Sequence, residues 1–238
     1  MRIDILTLFP KMFDSVLGES IIKRARAKGK IAVHLHDLRD WTFDSHRTAD
    51  DKPFGGGAGM VMKVEPIYLA LKQLVGQLPG LPISRLSGQT RKAKIILLTP
   101  QGRKLEQGLV KELAKEKRLI LICGHYEGVD ERVRGLVDEE ISIGDYILTC
   151  GEIPALVIVD SVARLLPGVL GHSQSAEFES FENNLLEYPQ YTRPAEFKGM
   201  TVPDVLMSGD HKRIAEWRSK EAIKRTKELR PDLLKRKM

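Results

Sequence analysis

Three short segments, the first two of them apolar, each emptying into a loop of glycine, proline and polar residues, constrain this chain more than anything else in it. Residues 94–98 run into Thr99-Pro100-Gln101-Gly102-Arg103, and residues 119–123 into Gly124-His125-Tyr126-Glu127-Gly128-Val129-Asp130. Residues 137–143 run into Gly144-Asp145-Tyr146-Ile147-Leu148-Thr149-Cys150-Gly151-Glu152. Continuous apolar runs of this length, bounded by turn residues, read as buried strands. In open α/β sheets ligands sit outside the carboxyl ends of the strands, so three such loops line one site. Gly144 and Gly151 free the backbone for close approach to a ligand, while Asp145 and Glu152 stand beside them as hydrogen-bond acceptors. Pro154 fits the first turn of a helix, where its missing N–H is no loss. An ordinary strand-to-helix connection accounts for the third loop alone. Its two companions turn the reading toward a pocket wall built mainly from backbone.

The remaining segments frame that wall. Residues 2–8 read as a first, mostly buried strand ended by Pro10, and residues 20–28 as a basic helix closed by Gly29. Residues 31–38 read as a second strand with His34 and His36 on one face. Without a third ligand at useful spacing, that pair reads as a polar sheet face rather than a metal site. Four glycines among residues 55–59 exclude a stable helix or strand interior. The Gly55-x-Gly57-x-Gly59 spacing follows a polar, charged run rather than a hydrophobic strand, which rules out a dinucleotide loop. A mobile loop folding over a ligand is expected instead, with Arg47 and Lys52 available for phosphates. Residues 65–75 form an amphipathic helix, residues 76–93 a surface connection, and Arg103 opens a polar helix of about three turns. Residues 153–166 are apolar nearly all round and predict a buried helix stopped by Pro167-Gly168. Arg164 on that helix either pairs with a buried acid or faces a ligand phosphate.

At 238 residues, 42% hydrophobic and 29% charged, the chain has the composition of a soluble globular protein of one or two domains. No apolar run approaches the roughly 20 residues of a membrane span, and Met1-Arg2-Ile3-Asp4 lacks the apolar stretch of a signal peptide. Two distant cysteines, Cys123 and Cys150, fit a reducing cytoplasm better than a disulfide framework or zinc site. The net charge of +6 is uneven: residues 186–238 carry +5 and residues 172–185 carry −3. A basic C-terminal segment suits a polyanion such as RNA, although a solvated helical tail has the same charge. Residues 172–188 read as an acidic interdomain linker, poorly ordered without RNA. Residues 189–194 are extended by their prolines. Asp210 caps a basic helix over residues 211–229 with Ile214 and Trp217 as its apolar anchors. Trp217 reads as a core anchor of a small helical domain rather than a base-stacking platform.

These loops, taken in order, resemble a known family. Thr99-Pro100-Gln101-Gly102-Arg103, Cys123-Gly124-His125-Tyr126-Glu127-Gly128-Val129-Asp130, Ser142-Ile143-Gly144-Asp145-Tyr146 and Asp160-Ser161-Val162-Ala163-Arg164 carry the resemblance. Pro167-Gly168-Val169-Leu170-Gly171-His172, Tyr191-Thr192-Arg193-Pro194, the glycine loop and Val202-Pro203-Asp204-Val205-Leu206-Met207-Ser208-Gly209 complete it. The family is that of the bacterial tRNA (guanine-N1)-methyltransferases, TrmD, in the SPOUT superfamily. The resemblance implies an α/β, SPOUT-type sheet with a deep C-terminal trefoil knot over residues 1–171, the linker over 172–188, and a small all-α tRNA-binding domain over 189–238. It implies S-adenosylmethionine held by Leu98, Thr99, Pro100, Gly124, Tyr126, Glu127, Gly128, Ile143, Gly144, Tyr146, Leu148, Gly151 and Pro154. Backbone groups would read the adenine, and Glu127 would hold the ribose. Arg47, Lys52, Gly57, Gly59 and Arg193 would contact tRNA.

The resemblance further implies an obligate homodimer with composite active sites, magnesium dependence without an identifiable site, and neither membrane nor DNA as partner. The implied reaction puts a methyl group on N1 of the guanine at tRNA position 37, just 3′ of the anticodon. The family's general base is a linker aspartate, and here Glu179 stands at that position, with Glu177 a second candidate. Arg164 matches the arginine that faces guanine O6. His125 stands where arginine is common and Cys150 where glycine is usual. Two other readings remain: a methyltransferase for another RNA group, such as a ribose 2′-hydroxyl, and a non-catalytic RNA-binding protein. Ribose methylation needs no base tuned to a guanine N1–H, so Glu179 discriminates among them.

Overall fold

The apolar runs become strands of one parallel sheet in a computed structural model that describes residues 1–75, 93–170 and 179–235. Chain order gives β1 (Arg2–Thr7), β2 (Ala32–Asp37), the two-residue ladder β3 (Asp50–Asp51) and β4 (Val61–Met62), then β5 (Lys94–Lys104), β6 (Arg118–Cys123) and β7 (Glu139–Ser142). The five long strands lie in the order β2–β1–β6–β5–β7, all parallel. Parallel strands are covered on both faces, which is why residues 95–98 of β5 and 119–123 of β6 are apolar at every position rather than at alternate ones. Ile3, Ile5, Leu119, Leu121, Ile96 and Leu98 pack on one face against α2 (Ser20–Ala27), α4 (Gln107–Ala114) and α5 (Glu152–Ala163). Leu6, Ile120, Ile122, Ile95 and Leu97 pack on the other face against α3 (Val64–Val75). The short α1 (Asp14–Leu17) leads into α2, which Gly29 terminates at φ +65°. Each fully buried aliphatic side chain contributes about 1.5–3 kcal/mol.

A charged cluster centred on the buried Asp4 interrupts this core. Asp4 has no exposed surface. It accepts hydrogen bonds from Arg2 at 2.8 and 2.9 Å, from Arg118 at 2.8 Å and from His36 at 2.8 Å. Burial alone raises its pKa, but those three partners outweigh burial and hold the carboxyl well below the usual carboxylate range. His36 thus spends a ring nitrogen on Asp4, on the polar sheet face expected of it. The chain from β1 to β6 and the helix end at Leu74, whose carbonyl accepts from Arg118, are tied together here.

The turn expected over residues 99–103, leading straight into a helix, is a correction: these residues remain in β5 and the helix starts at Gln107. Both Leu98 and Arg103 pair with Ile141, so β5 slips register by bulging out residues 99–102 and then returns to the ladder. The return is allowed by Gly102, whose absent Cβ leaves room for the Glu140–Ile141 backbone. Arg103 is also held by Glu112 at 3.1 Å and Glu139 at 3.3 Å. The helix that follows, α4, is eight residues long, nearer two turns than three.

The chain splits by contact into two units, Met1–Leu170 and Gly171–Met238. The second unit departs from an all-α domain. Besides α6 (Asp204–Met207) and α7 (His211–Leu229) it holds a hairpin, β8 (Glu196–Phe197) with β9 (Met200–Thr201). Lys198 at φ +51° and Gly199 at φ +80° give the two-residue turn whose twist suits such a hairpin. Asp210 caps α7 through the amides of Lys212 and Arg213, as expected. The residues α7 buries are Ala222 and Thr226, whereas Ile214 and Trp217 are half-buried. Residues 172–178 of the expected linker, and nearly all of the expected 76–93 connection, lie outside the described residues. Residues 179–188 pack on α7: the Leu186 amide donates to Thr226 Oγ1 at 2.8 Å and the Glu187 amide to Ser180 Oγ at 3.1 Å.

Candidate active site

The three strand ends meet. All thirteen residues expected to hold the methyl donor, from Leu98 to Pro154, line a single cavity of about 350 Å³ in the first unit. Small-molecule sites run from roughly 300 to 1,000 Å³. Leu98, Thr99 and Pro100 come from the bulge in β5, residues 124–129 from the end of β6, and residues 141–151 from the end of β7. After β7 the chain returns past β5 to the end of β6. There the Gly151 amide donates to Gly124 O at 2.7 Å, and His125 pairs with Cys150. A side chain at Gly151 would stand 2.7 Å from Cys123 Cα and the Gly124 nitrogen. That close crossing of two backbones is the physical reason for the glycine. Gly144 is the second such position, since its Cβ would enter the Tyr146 ring at 2.3 Å. Ser142 Oγ ties this turn by donating to Gly144 O at 3.0 Å.

The wall is part backbone and part aromatic. Tyr126 adopts φ +59°, and burial pushes its phenol up, with Asp50 raising it further. Glu127 reaches toward the glycine loop, where a Cβ on Gly59 would lie 2.4 Å from its side chain. The stem of that loop is the β3–β4 ladder, and it is bonded to the end of β6: Glu127 N donates to Met60 O at 3.0 Å and Met62 N to Gly128 O at 2.9 Å. The glycines therefore form a hairpin loop held beside the cavity. Gly57 sits in it at φ +124°, Lys52 is exposed on it, and Arg47, at φ +54°, pairs with Asp40.

Behind the wall, Glu152 opens α5 with no exposed surface. Thr7 Oγ1 donates to its Oε1 at 2.6 Å. Burial raises the thiols of both Cys123 and Cys150, and the Glu152 charge adds to both. Arg164 is not among the lining residues. It caps the far end of α5, one helix length, about 18 Å, from Glu152. Glu179 and Arg193 belong to the second unit. Glu179 borders a cavity along α7, and Arg193 a groove with Tyr188, Tyr191 and Arg218. Glu177 lies outside the described residues.

A family model described as tRNA (Guanine-1)-methyltransferase TrmD matches residues 1–236. The chain belongs to this family. Relatives named tRNA (guanine-N(1)-)-methyltransferase agree along nearly the whole length. One from Geobacter sp. (strain M21) is 57% identical over 98% of this chain and 90% of its own. One from Geobacillus kaustophilus (strain HTA426) is 57% identical over 98% and 91%, and one from Endomicrobium trichonymphae is 55% identical over 99% and 100%. For a TrmD-family chain, the lining residues missed by sequence reasoning are instructive. His125 and Cys150 face each other across the bridge, and Leu97, Val129, Ile141, Ser142, Ile147 and Thr149 complete the cavity. All lie within two residues of an expected position, so the loops themselves were the signal.

Proposed function

We propose that this protein transfers a methyl group from S-adenosylmethionine to N1 of the guanine at tRNA position 37. The observation that carries the reading is the convergence of three consecutive strand ends on one cavity whose size and glycine-lined wall suit that donor. When bound, the donor supplies an electrophilic sulfonium methyl. The chain's own task is alignment and proton management. The backbone of the 99–102, 124–128 and 143–151 turns reads the adenine edge, and Glu127 holds the ribose. Guanine N1 carries a proton at neutral pH and is a poor nucleophile until it leaves. Glu179 takes that proton, which is worth about 10²–10⁴-fold in rate. Arg164 faces guanine O6, where negative charge develops.

Within one protomer Arg164 lies a helix length from the cavity, which favours a homodimer in which one subunit's α5 end serves its partner's cavity. Apolar surface is available for such a contact: Ile147 is 81% exposed, and Met12, Val16, Ile153 and Val157 are exposed as well. The return of the chain from β7 past β5 to the end of β6 supports a trefoil knot. The glycine hairpin, Arg47, Lys52 and Arg193 contact the RNA, together with the basic face of α7. No helix among the described residues is long and apolar enough to cross a membrane, and we place the enzyme in the cytoplasm. The donor set does not fit a resident magnesium ion: among the described residues no three His, Cys, Asp or Glu side chains converge to hold one. The deciding experiment is transfer of labelled methyl to unmodified tRNA with guanine at position 37 and to the same tRNA without it. Transfer only to the first is expected. Equal transfer to both, or label in ribose, removes this reading.

A further inference from the structure

Glu152 is a buried acid for which the reaction above has no use. Its carboxylate has no exposed surface, Oε1 is satisfied by Thr7, and Oε2 is buried without any hydrogen-bond partner. Among the described residues no Lys, Arg or His pairs with it. A buried carboxylate lacking a counter-ion is costly to a fold. The amides at the start of the twelve-residue α5 offset only part of that cost. Its position gives the charge a purpose. The neighbours Cys150 and Gly151 and the nearby Pro154 all line the cavity, so the carboxylate stands one residue behind the wall. Its field reaches the strand end that adjoins this wall: after burial, the Glu152 charge is the largest cause that raises the Cys123 thiol. Charges separated by a dry wall interact far more strongly than charges in water.

We propose that Glu152 makes the cavity selective for a positively charged ligand, so that the methyl donor is held more tightly than the product it becomes. The sulfonium loses its charge when the methyl group departs to guanine N1, and the resulting neutral thioether no longer feels the carboxylate. Glu152 is in this sense a positioning residue that contacts neither substrate. The proposal rests on the reading that the cavity holds S-adenosylmethionine, and its test separates the two.

Calorimetry on the full-length protein compares three probes: S-adenosylmethionine, its analogue with an ammonium in place of the sulfonium, and neutral S-adenosylhomocysteine. Glu152→Gln keeps the size of the side chain and an acceptor for Thr7 while removing the charge. The expected result is an affinity loss of about tenfold for both cations, with S-adenosylhomocysteine bound within about twofold of wild type. An equal loss for all three probes marks a merely structural Glu152 and overturns the proposal, as does no change in any. If Glu152→Gln fails to fold, Glu152→Asp decides, because it draws the charge back by one methylene. The preference for cations then shrinks while the neutral probe is unaffected, and an unaltered preference overturns the proposal. Should wild type bind none of the three, the reading of the cavity falls instead.

Discussion

In the proposed reaction Glu179 and Arg164 divide the chemistry between a proton acceptor and a cation, and substitution separates their roles. Glu179→Gln is expected to keep the affinity for S-adenosylmethionine and to lower single-turnover methyl transfer about 10²–10⁴-fold. An unchanged single-turnover rate would remove Glu179 from the mechanism. Arg164→Ala is expected to lower transfer more than donor affinity, and equal losses in both would make it a structural residue. Gly151 tests the wall itself. Its missing Cβ would meet main-chain atoms at 2.7 Å, and backbone cannot move aside as a long side chain can. Gly151→Ala should therefore cost about 1–3 kcal/mol in chemical denaturation and weaken donor binding in calorimetry. At this scale the sequence was most legible where glycine and proline dictated backbone, as at Gly144, Gly151 and Pro154. It was least legible where a role depends on distance, as with Glu152, whose seclusion behind the wall has no signature in its neighbours.

The central strands β5 and β6 could be read from unbroken apolar runs, because a parallel sheet buried on both faces demands them. The ends of β5 could not. Residues 99–104 carry turn chemistry yet continue in the strand, since Gly102 lets the backbone lie against Glu140 and Arg103 finds two acids. The β8–β9 hairpin was missed because two-residue strands have no periodicity to detect. Within the sheet, on β1 between β2 and β6, Asp4 predicts a pH dependence. Its pKa is depressed in the folded protein, so its contribution to stability is complete above the unfolded value near 3.9 and is lost as the pH falls below it. Denaturant unfolding of wild type should weaken through that window. Asp4→Asn should cost about 3 kcal/mol or more at neutral pH, and the gap to wild type should narrow as the pH falls below about 4.

For the whole molecule the central prediction concerns which subunit serves which cavity. A Glu179→Gln protein and a protein whose cavity is closed by Gly144→Val should each be inactive alone. Mixed and allowed to exchange subunits, they should regain methyl transfer, because one intact cavity then meets one intact base. A mixture that stays inactive, with mixed dimers verified by mass spectrometry, would place the whole site within one chain. The division into two units was foreshadowed by the shift from acidic to basic residues beyond residue 171, but the proposed sharing of a site between subunits is invisible in a single sequence. The cavity wall carries a last consequence, for pharmacology. A competitive inhibitor that reads the amides and carbonyls around Gly124 and Gly151 binds backbone groups that survive any change of side chain short of proline. Resistance at Gly151 would need a side chain where the crossing of the chain leaves no room for one, which narrows the routes of escape.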